Sequence, residues 1–291
     1  MTTFVRIVDA GNISRAARSL GLSVAMASRH LRWLEEELGA PLLRRTTRRI
    51  DLTEAGLEFA PRARAILAGV DDAKAMVRPG RGVAGRVVLS VPPTLGLMRI
   101  APLLPALLKE HPRLRVEIRF EDRAVDLIRD GVDIAVRAGR PLPDSPFIVG
   151  RKIASFERVV CASPKFLVDH GPINAVSTLV NVPCIVHGTP PTVWEFETPN
   201  GPESVLIPGQ LRTNHLLAVR DAVVAGLGVA WLPSWLVKPD ILARRVKPVL
   251  VGMRLSPLDV YTIIHTHARG ATAMRAVLDY LARELPASLK K

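Results

Sequence analysis

The sequence predicts an α/β protein headed by a small all-α winged helix-turn-helix, and three observations predict it. Two short amphipathic helical stretches flank Gly21, an arginine-rich segment follows at 42–52, and from Arg86 onward strand and helix patterns alternate to the end. With 291 residues, 48% hydrophobic and 23% charged, the chain can hold two or more domains with sizeable cores and shows no bias toward disorder.

A first helix carries Phe4, Val5, Ile7 and Val8. A second begins near Ser14 and Arg15, where Ala16, Ala17 and Leu20 supply apolar contacts. Gly21 closes the turn, because a positive φ is cheapest at glycine. Ser23 is placed to cap the free N–H groups of a third helix. Beyond it Ala27, Leu31, Leu34 and Leu38 recur at spacings of four, three and four, which makes one apolar stripe. At about 100° per residue Arg29 falls opposite that stripe, with Ala25, Ser28 and Arg32 beside it. The third helix thus turns a small, cationic face outward, as a helix lying in a DNA major groove does. Arg29 and Arg32 are alternatively ordinary exposed helix charges that pair with Glu35 or Glu36 at helical spacing, Arg32 with Glu36 first among them. The segment 42–52 reads as a two-stranded wing carrying Arg44, Arg45, Arg48 and Arg49, with Thr46-Thr47 between them.

The net charge of +13 does not single out nucleic acid, because residues 1–80 carry net +4 and the rest net +9. The local balance discriminates better: residues 1–50 hold nine arginines against four acids, clustered on helix and wing.

Thr53 to Val77 reads as one long helix in which Phe59, Ala63, Ile66, Val70, Ala73 and Val77 alternate by four and three, a short heptad seam suited to dimerisation. A lone packed helix is the alternative. Pro61 removes an internal hydrogen bond and should kink it. The string Gly80-Arg81-Gly82-Val83-Ala84-Gly85 spells a dinucleotide fingerprint, yet a helix precedes it and a strand follows, the reverse of what a cofactor loop needs. It reads as a linker, and no cofactor is expected.

In the second half the pattern gives a strand at 86–91, a helix around 99–110, a strand at 114–120, a helix around 124–130 and a strand at 132–137. Such sheets take ligands at the carboxyl ends of their strands. Cys161 and Cys184 sit in apolar stretches and read as reduced core residues. There is no secretory leader before Phe4 and no apolar run of membrane-spanning length, so a cytoplasmic protein without membrane contact is expected. No nucleophile elbow, phosphate loop or zinc pair of the His-Glu-x-x-His kind occurs, so no enzymatic activity is expected. His265-Thr-His267 shares a strand face, but without a carboxylate or cysteine beside it a metal is not expected.

The first sixty positions resemble the DNA-binding domain of LysR-type transcriptional regulators. Ala10-Gly11, Ser14-Arg-Ala-Ala, Leu34-Glu35-Glu36-Glu37-Leu38-Gly39, Arg45-Thr46-Thr47-Arg48-Arg49 and Leu52-Thr53-Glu54-Ala55-Gly56 carry the likeness. One departure matters: where the family usually has Ser-Gln this chain has Ser23-Val24, followed by Ala25. Val24 and Ala25 can touch thymine methyl groups instead, leaving Ser28 and Arg29 as polar readers. The expected DNA-contacting set is Ser14, Arg15, Ser23, Val24, Ala25, Ser28, Arg29, Arg32, Arg45, Thr47, Arg48 and Arg49. The second half resembles the LysR-type effector domain, two α/β lobes similar to periplasmic solute-binding proteins, through Ala101-Pro102-Leu103-Leu104-Pro105, Asp133 to Gly139, Ala162-Ser163-Pro164, and Ala225 to Ala230 with Leu232-Pro233.

The resemblance implies domains at 1–56 and 86–291, joined by a dimerisation helix and hinge at 57–85, with one lobe from 86–159 and 260–291 and the other from 160–259. It also implies a small organic effector between the lobes. Thr94 follows the first strand and can offer its hydroxyl to a carboxylate or else cap a helix; Arg137 ends a strand and can neutralise an anion or form a surface ion pair. His187 and Asn214 hold corresponding points in the second lobe. The expected function is a sequence-specific DNA-binding regulator, a homodimer or homotetramer, answering to an anionic effector. The alternative, a solute-binding or enzymatic α/β protein with an incidental helical N-terminus, would require an export signal or catalytic residues.

Overall fold

A computed structural model of the chain describes residues 1–45, 50–77, 83–139, 145–188, 192–266 and 272–290. The head opens with α1 (Thr2–Ala10), α2 (Ile13–Ser19) and α3 (Val24–Leu38). Each boundary has a local chemical cause. The Asn12 side chain accepts the N–H groups of Ser14 and Arg15, Ser23 Oγ accepts that of Met26, and Gly11 and Gly39 end α1 and α3 with left-handed backbone. Phe4, Ile7, Ala16, Leu31 and Leu42 form the buried centre.

The wing pairs β1 (Leu43–Arg45) with β2 (Ile50–Leu52), antiparallel, Leu43 opposite Leu52. Thr47, Arg48 and Arg49 lie outside the described residues, as does the side chain of Arg45. Thr53 then starts α4 (Glu54–Val77): its hydroxyl donates to Pro41 O at 2.6 Å and accepts Gly56 N–H at 3.0 Å, fastening the helix to the wing. Only glycine fits at position 56, since an added Cβ would stand 2.1 Å from the Leu42 carbonyl oxygen. Ala60 and Ala63 are fully buried in the head, and the Phe59 ring lies 5.7 Å from that of Phe4. Of the residues expected to line a dimer seam, Phe59 and Ala63 therefore pack in the head's own core, Ile66 and Val70 are exposed, and the side chain of Val77 lies outside the description.

The second half begins with β3 (Ala84–Val91), which follows α4 across the glycine-rich string. Its first sheet adds β4 (Arg113–Phe120), β5 (Ile134–Gly139) and β6 (Ile148–Phe156). The chain then builds the second lobe from β7 (Arg158–Ala162), β8 (Ile185–His187), β9 (Val193–Thr198), β10 (Gly201–Leu206), β11 (Leu211–Thr213), β12 (Ala230–Pro233), β13 (Lys247–Pro248) and β14 (Arg254–Leu255). Finally β15 (Leu258–His265) returns to the first sheet, whose order is β4-β3-β5-β15-β6. β3 runs parallel to β4 and β5, and β15 antiparallel to β5 and β6.

The expected helix around 99–110 is longer and irregular. It starts as α5 (Pro93–Leu95), continues through a π turn (Gly96–Ile100) and a 3-10 turn (Ala101–Leu103), and becomes α6 (Leu104–Glu110). The second lobe carries α7 (Pro164–His170), α8 (Leu216–Val224) and α9 (Ser234–Leu242). The terminal helix α10 (Thr272–Lys290) returns to the first sheet and buries Val277, Leu281 and Leu285 in a core that also takes in Ala230, Leu232 and Trp235. One buried cluster thus runs from the first sheet into the second lobe.

The helix expected around 124–130 does not form; those residues make a loop and a turn. Asp126 Oδ1 takes the N–H groups of Ile128 and Arg129, and Asp130 Oδ2 takes that of Asp126. These side chains offer the backbone a local alternative to helical bonding, and here it prevails.

Candidate nucleic-acid interface and ligand-binding cleft

The outward face of α3 is built as its periodicity dictates at one end and not at the other. Ala27, Leu31 and Leu34 are buried, whereas Leu38, on the same stripe, is 42% exposed because it stands at the helix end beyond the core. Ser14 and Arg15 are exposed at the start of α2, and Ser23, Val24, Ala25, Arg29 and Arg32 are exposed on or before α3, with Ser28 half-buried. Arg32 and Glu36 do not pair. Instead Glu35 reaches away from the arginines and accepts the N–H groups of Leu42 and Leu43 at 2.8 and 3.1 Å, tying α3 to the wing. The side chains of Arg29 and Arg32 thus remain on the solvent side, and Arg44 of the wing is exposed as well. The sequence reading passed over Met26 and Trp33, 44% and 62% exposed on the flank of this face; their displacement from the apolar stripe was the available signal.

In the second lobe, β8 and β11 run side by side and parallel, with His187 opposite Thr213. This brings His187 and Asn214 together: the His187 ring contacts the Asn214 carbonyl oxygen at 3.1 Å and meets Trp231 edge to face. The Asn214 side chain is not the group used. Facing His187 from the first lobe at 4.0 Å is Asp122, which sequence reasoning missed although it follows the carboxyl end of β4. Burial pushes the Asp122 carboxyl above the usual carboxylate range, against the pull of His187, His215 and Arg137.

Thr94 is buried within α5 and supplies no helix cap, since Pro92 precedes that helix without a side-chain bond. Arg137 is braced rather than free. It donates to Ser90 O and Oγ, Val136 O and Arg123 O, and burial lowers its pKa. The structure therefore brings His187, Asn214 and Asp122 to one place, while Arg137 joins Asp122 in lining a pocket that neither His187 nor Asn214 lines. His265 is buried in β15, and His267 lies outside the described residues. Among the described residues no helix is long and apolar enough to cross a membrane.

A profile described as the LysR substrate binding domain matches residues 80–286, and one described as the bacterial regulatory helix-turn-helix protein, lysR family, matches residues 1–57. The chain belongs to the LysR family. Among curated relatives of this LysR regulator, DmlR of Escherichia coli is 30% identical over 97% of this chain and 92% of its own length. PtxR of Pseudomonas aeruginosa is 32% identical over 97% of this chain and 91% of its own. Both are named HTH-type transcriptional regulators. The solved structure of CrgA from Neisseria meningitidis, 28% identical, superposes with a TM-score of 0.63 over 98% of this chain and 97% of that one. Full-length LysG from Corynebacterium glutamicum with bound effector Arg shares the fold, at a TM-score of 0.68 and 18% identity over 99% and 96% of the two chains. The protein is accordingly a DNA-binding transcriptional regulator with an effector-binding domain, and not an enzyme.

Proposed function

We propose that this LysR regulator reads its operator through the solvent face of α3 and answers to a small organic anion held between its lobes, as a dimer or a dimer of dimers. The observation that carries the reading is the exposed set Ala25, Arg29 and Arg32 on the side of α3 opposite the buried Ala27-Leu31-Leu34 stripe, with Val24 exposed at the helix start. Arg29 reads a base edge, Val24 and Ala25 meet thymine methyl groups, and the wing arginines meet phosphates. The head comprises residues 1–56, the linker 57–85, and the effector domain the remainder. In the cleft, His187 and Asn214 serve the effector from the second lobe and Thr94 from the first, while Arg137, its guanidinium already committed to Ser90, Val136 and Arg123 oxygens, adds positive charge to the field without a direct bond to the anion.

Duplexes selected against the protein from a random library test this by fluorescence anisotropy. Arg29→Ala should lose about 1–3 kcal/mol on the selected site and relax preference at one base position. Equal weakening on every duplex would reject base reading. Raising salt from 50 to 200 mM should cost roughly 10³–10⁵ in affinity if six or more phosphates are contacted per dimer; a salt-insensitive complex would remove the wing from the interface.

A further inference from the structure

Between α4 and the sheet face turned away from α10 lies a cavity of about 1020 Å³, at the upper end of the range for small-molecule sites. Val125, Leu127, Ala135, Ile148 and Ile263 form its apolar inner wall, and Leu57 and Pro61 close it from the linker helix. No residue of the second lobe lines it; Asp122, which meets His187 in the cleft, stands at the boundary and also lines the cavity, so the two spaces adjoin but have different walls. Its floor is local: residues 124–130 form a loop and turn instead of a helix, and Ala135 and Ile263 lie buried in a small cluster with Leu127 from that loop.

The charges around the cavity decide what fits. Glu54, Glu58, Asp122 and Asp126 outnumber Arg62 and Arg137, Arg62 already faces Glu58 at 3.6 Å, and the Arg137 guanidinium donates four hydrogen bonds to protein oxygens. A carboxylate entering here meets acidic repulsion and no open guanidinium fork. We propose that this cavity binds an uncharged, largely apolar small molecule and that the ligand locks the DNA-binding head against the first lobe. The coupling runs through Ile128, which lines the cavity while packing its side chain against the head's core. Its carbonyl lies 3.4 and 3.5 Å from Arg64 Nη1 and Nη2, and Nη2 also pairs with Asp9 of α1 at 2.7 Å. A ligand touching both walls binds only the docked arrangement and shifts the population toward it. The inference rests on the regulator reading only for what the head does.

The test uses the full chain and the neutral fluorophore N-phenyl-1-naphthylamine. Binding should saturate, compete with octan-1-ol and resist octanoate by at least about tenfold. Phe147→Asp places a charge at the mouth, where Phe147 is 62% exposed and cheap to change, and Ala135→Phe fills the interior; each should weaken the probe at least about tenfold. Saturating probe should slow amide exchange in 2–10 and 124–131. Probe binding that does not saturate, or that ignores both variants, overturns the site. Equal displacement by octanoate overturns the uncharged assignment, and unchanged exchange in 2–10 overturns the coupling. Duplex binding measured in parallel separates these failures from failure of the regulator reading, because it does not require the cavity to be filled.

Discussion

Asp240 shows at the scale of a single residue how the second lobe holds an ionised group without solvent. Its side chain is fully buried, with Arg220 Nε on Oδ2 at 2.5 Å, and Arg220 Nη2 and Arg245 Nε on Oδ1 at 3.0 and 2.7 Å. Burial alone would raise its pKa, but Arg220 and Arg245 outweigh that and hold it below the usual carboxylate value. A depressed folded pKa means the stabilisation is present above the unfolded value of about 4 and fades as pH falls through the folded one. Asp240→Asn should therefore cost about 3 kcal/mol near neutral pH, the low end for breaking a buried pair because both arginines reach solvent. The difference in Tm between variant and parent should shrink as pH is lowered below about 4; a constant difference would mean the carboxylate's charge is not what stabilises the lobe. No local pattern announces this cluster, since the partners of Asp240 lie 20 residues before it and five after it, in different elements.

Among the elements, α3 was legible because a stripe of spacing four, three and four has one solution on a helix, and Ser23 and Gly39 mark both ends by chemistry that acts within three residues. The wing strands and the alternation of the regulatory half were legible for the same reason. What failed was whatever depended on competition or distance. Asp126 and Asp130 unmade a helix that the apolar spacing of 124–130 favoured, Glu35 chose wing N–H groups over a helical ion pair, and Asp122 meets His187 across 65 positions. In α4 the heptad reading treated one side as a single seam, whereas the structure divides it: Phe59 and Ala63 face the head, and Ile66 and Val70 are 49% and 44% exposed in the single chain. If these two residues pair two copies, Ile66→Asp with Val70→Asp should shift the sedimenting species from dimer to monomer at micromolar concentration while leaving the helix content unchanged. A dimer that survives the double change would place the interface elsewhere.

In the whole molecule, the two lobes are less independent than two sheets joined by crossing strands would suggest. Cys161, Ala230, Leu232 and Trp235 of the second lobe share one buried cluster with Leu89, Ile134, Val260 and Leu281 of the first, and Arg99 Nη2 donates to the Trp235 carbonyl at 2.9 Å while its guanidinium lies over the Trp235 ring. Separating the lobes would expose this cluster to water at roughly 25 cal/mol for each Å² of apolar surface. Effector binding in the cleft therefore has to act by small relative shifts of packed elements, not by opening the lobes apart. The two free thiols report on this directly, because Cys161 lies in the shared cluster and Cys184 in the separate core of the second lobe. Burial pushes both thiols up to about 12, so neither should react with a disulfide reagent at pH 8 in the native protein. Under increasing urea, pulsed thiol labelling resolved by mass spectrometry should find both becoming reactive at one midpoint, as for a single cooperative unit. Labelling of Cys184 at distinctly lower urea than Cys161 would show the second lobe unfolding on its own, and would return the lobes to the status of separately moving bodies.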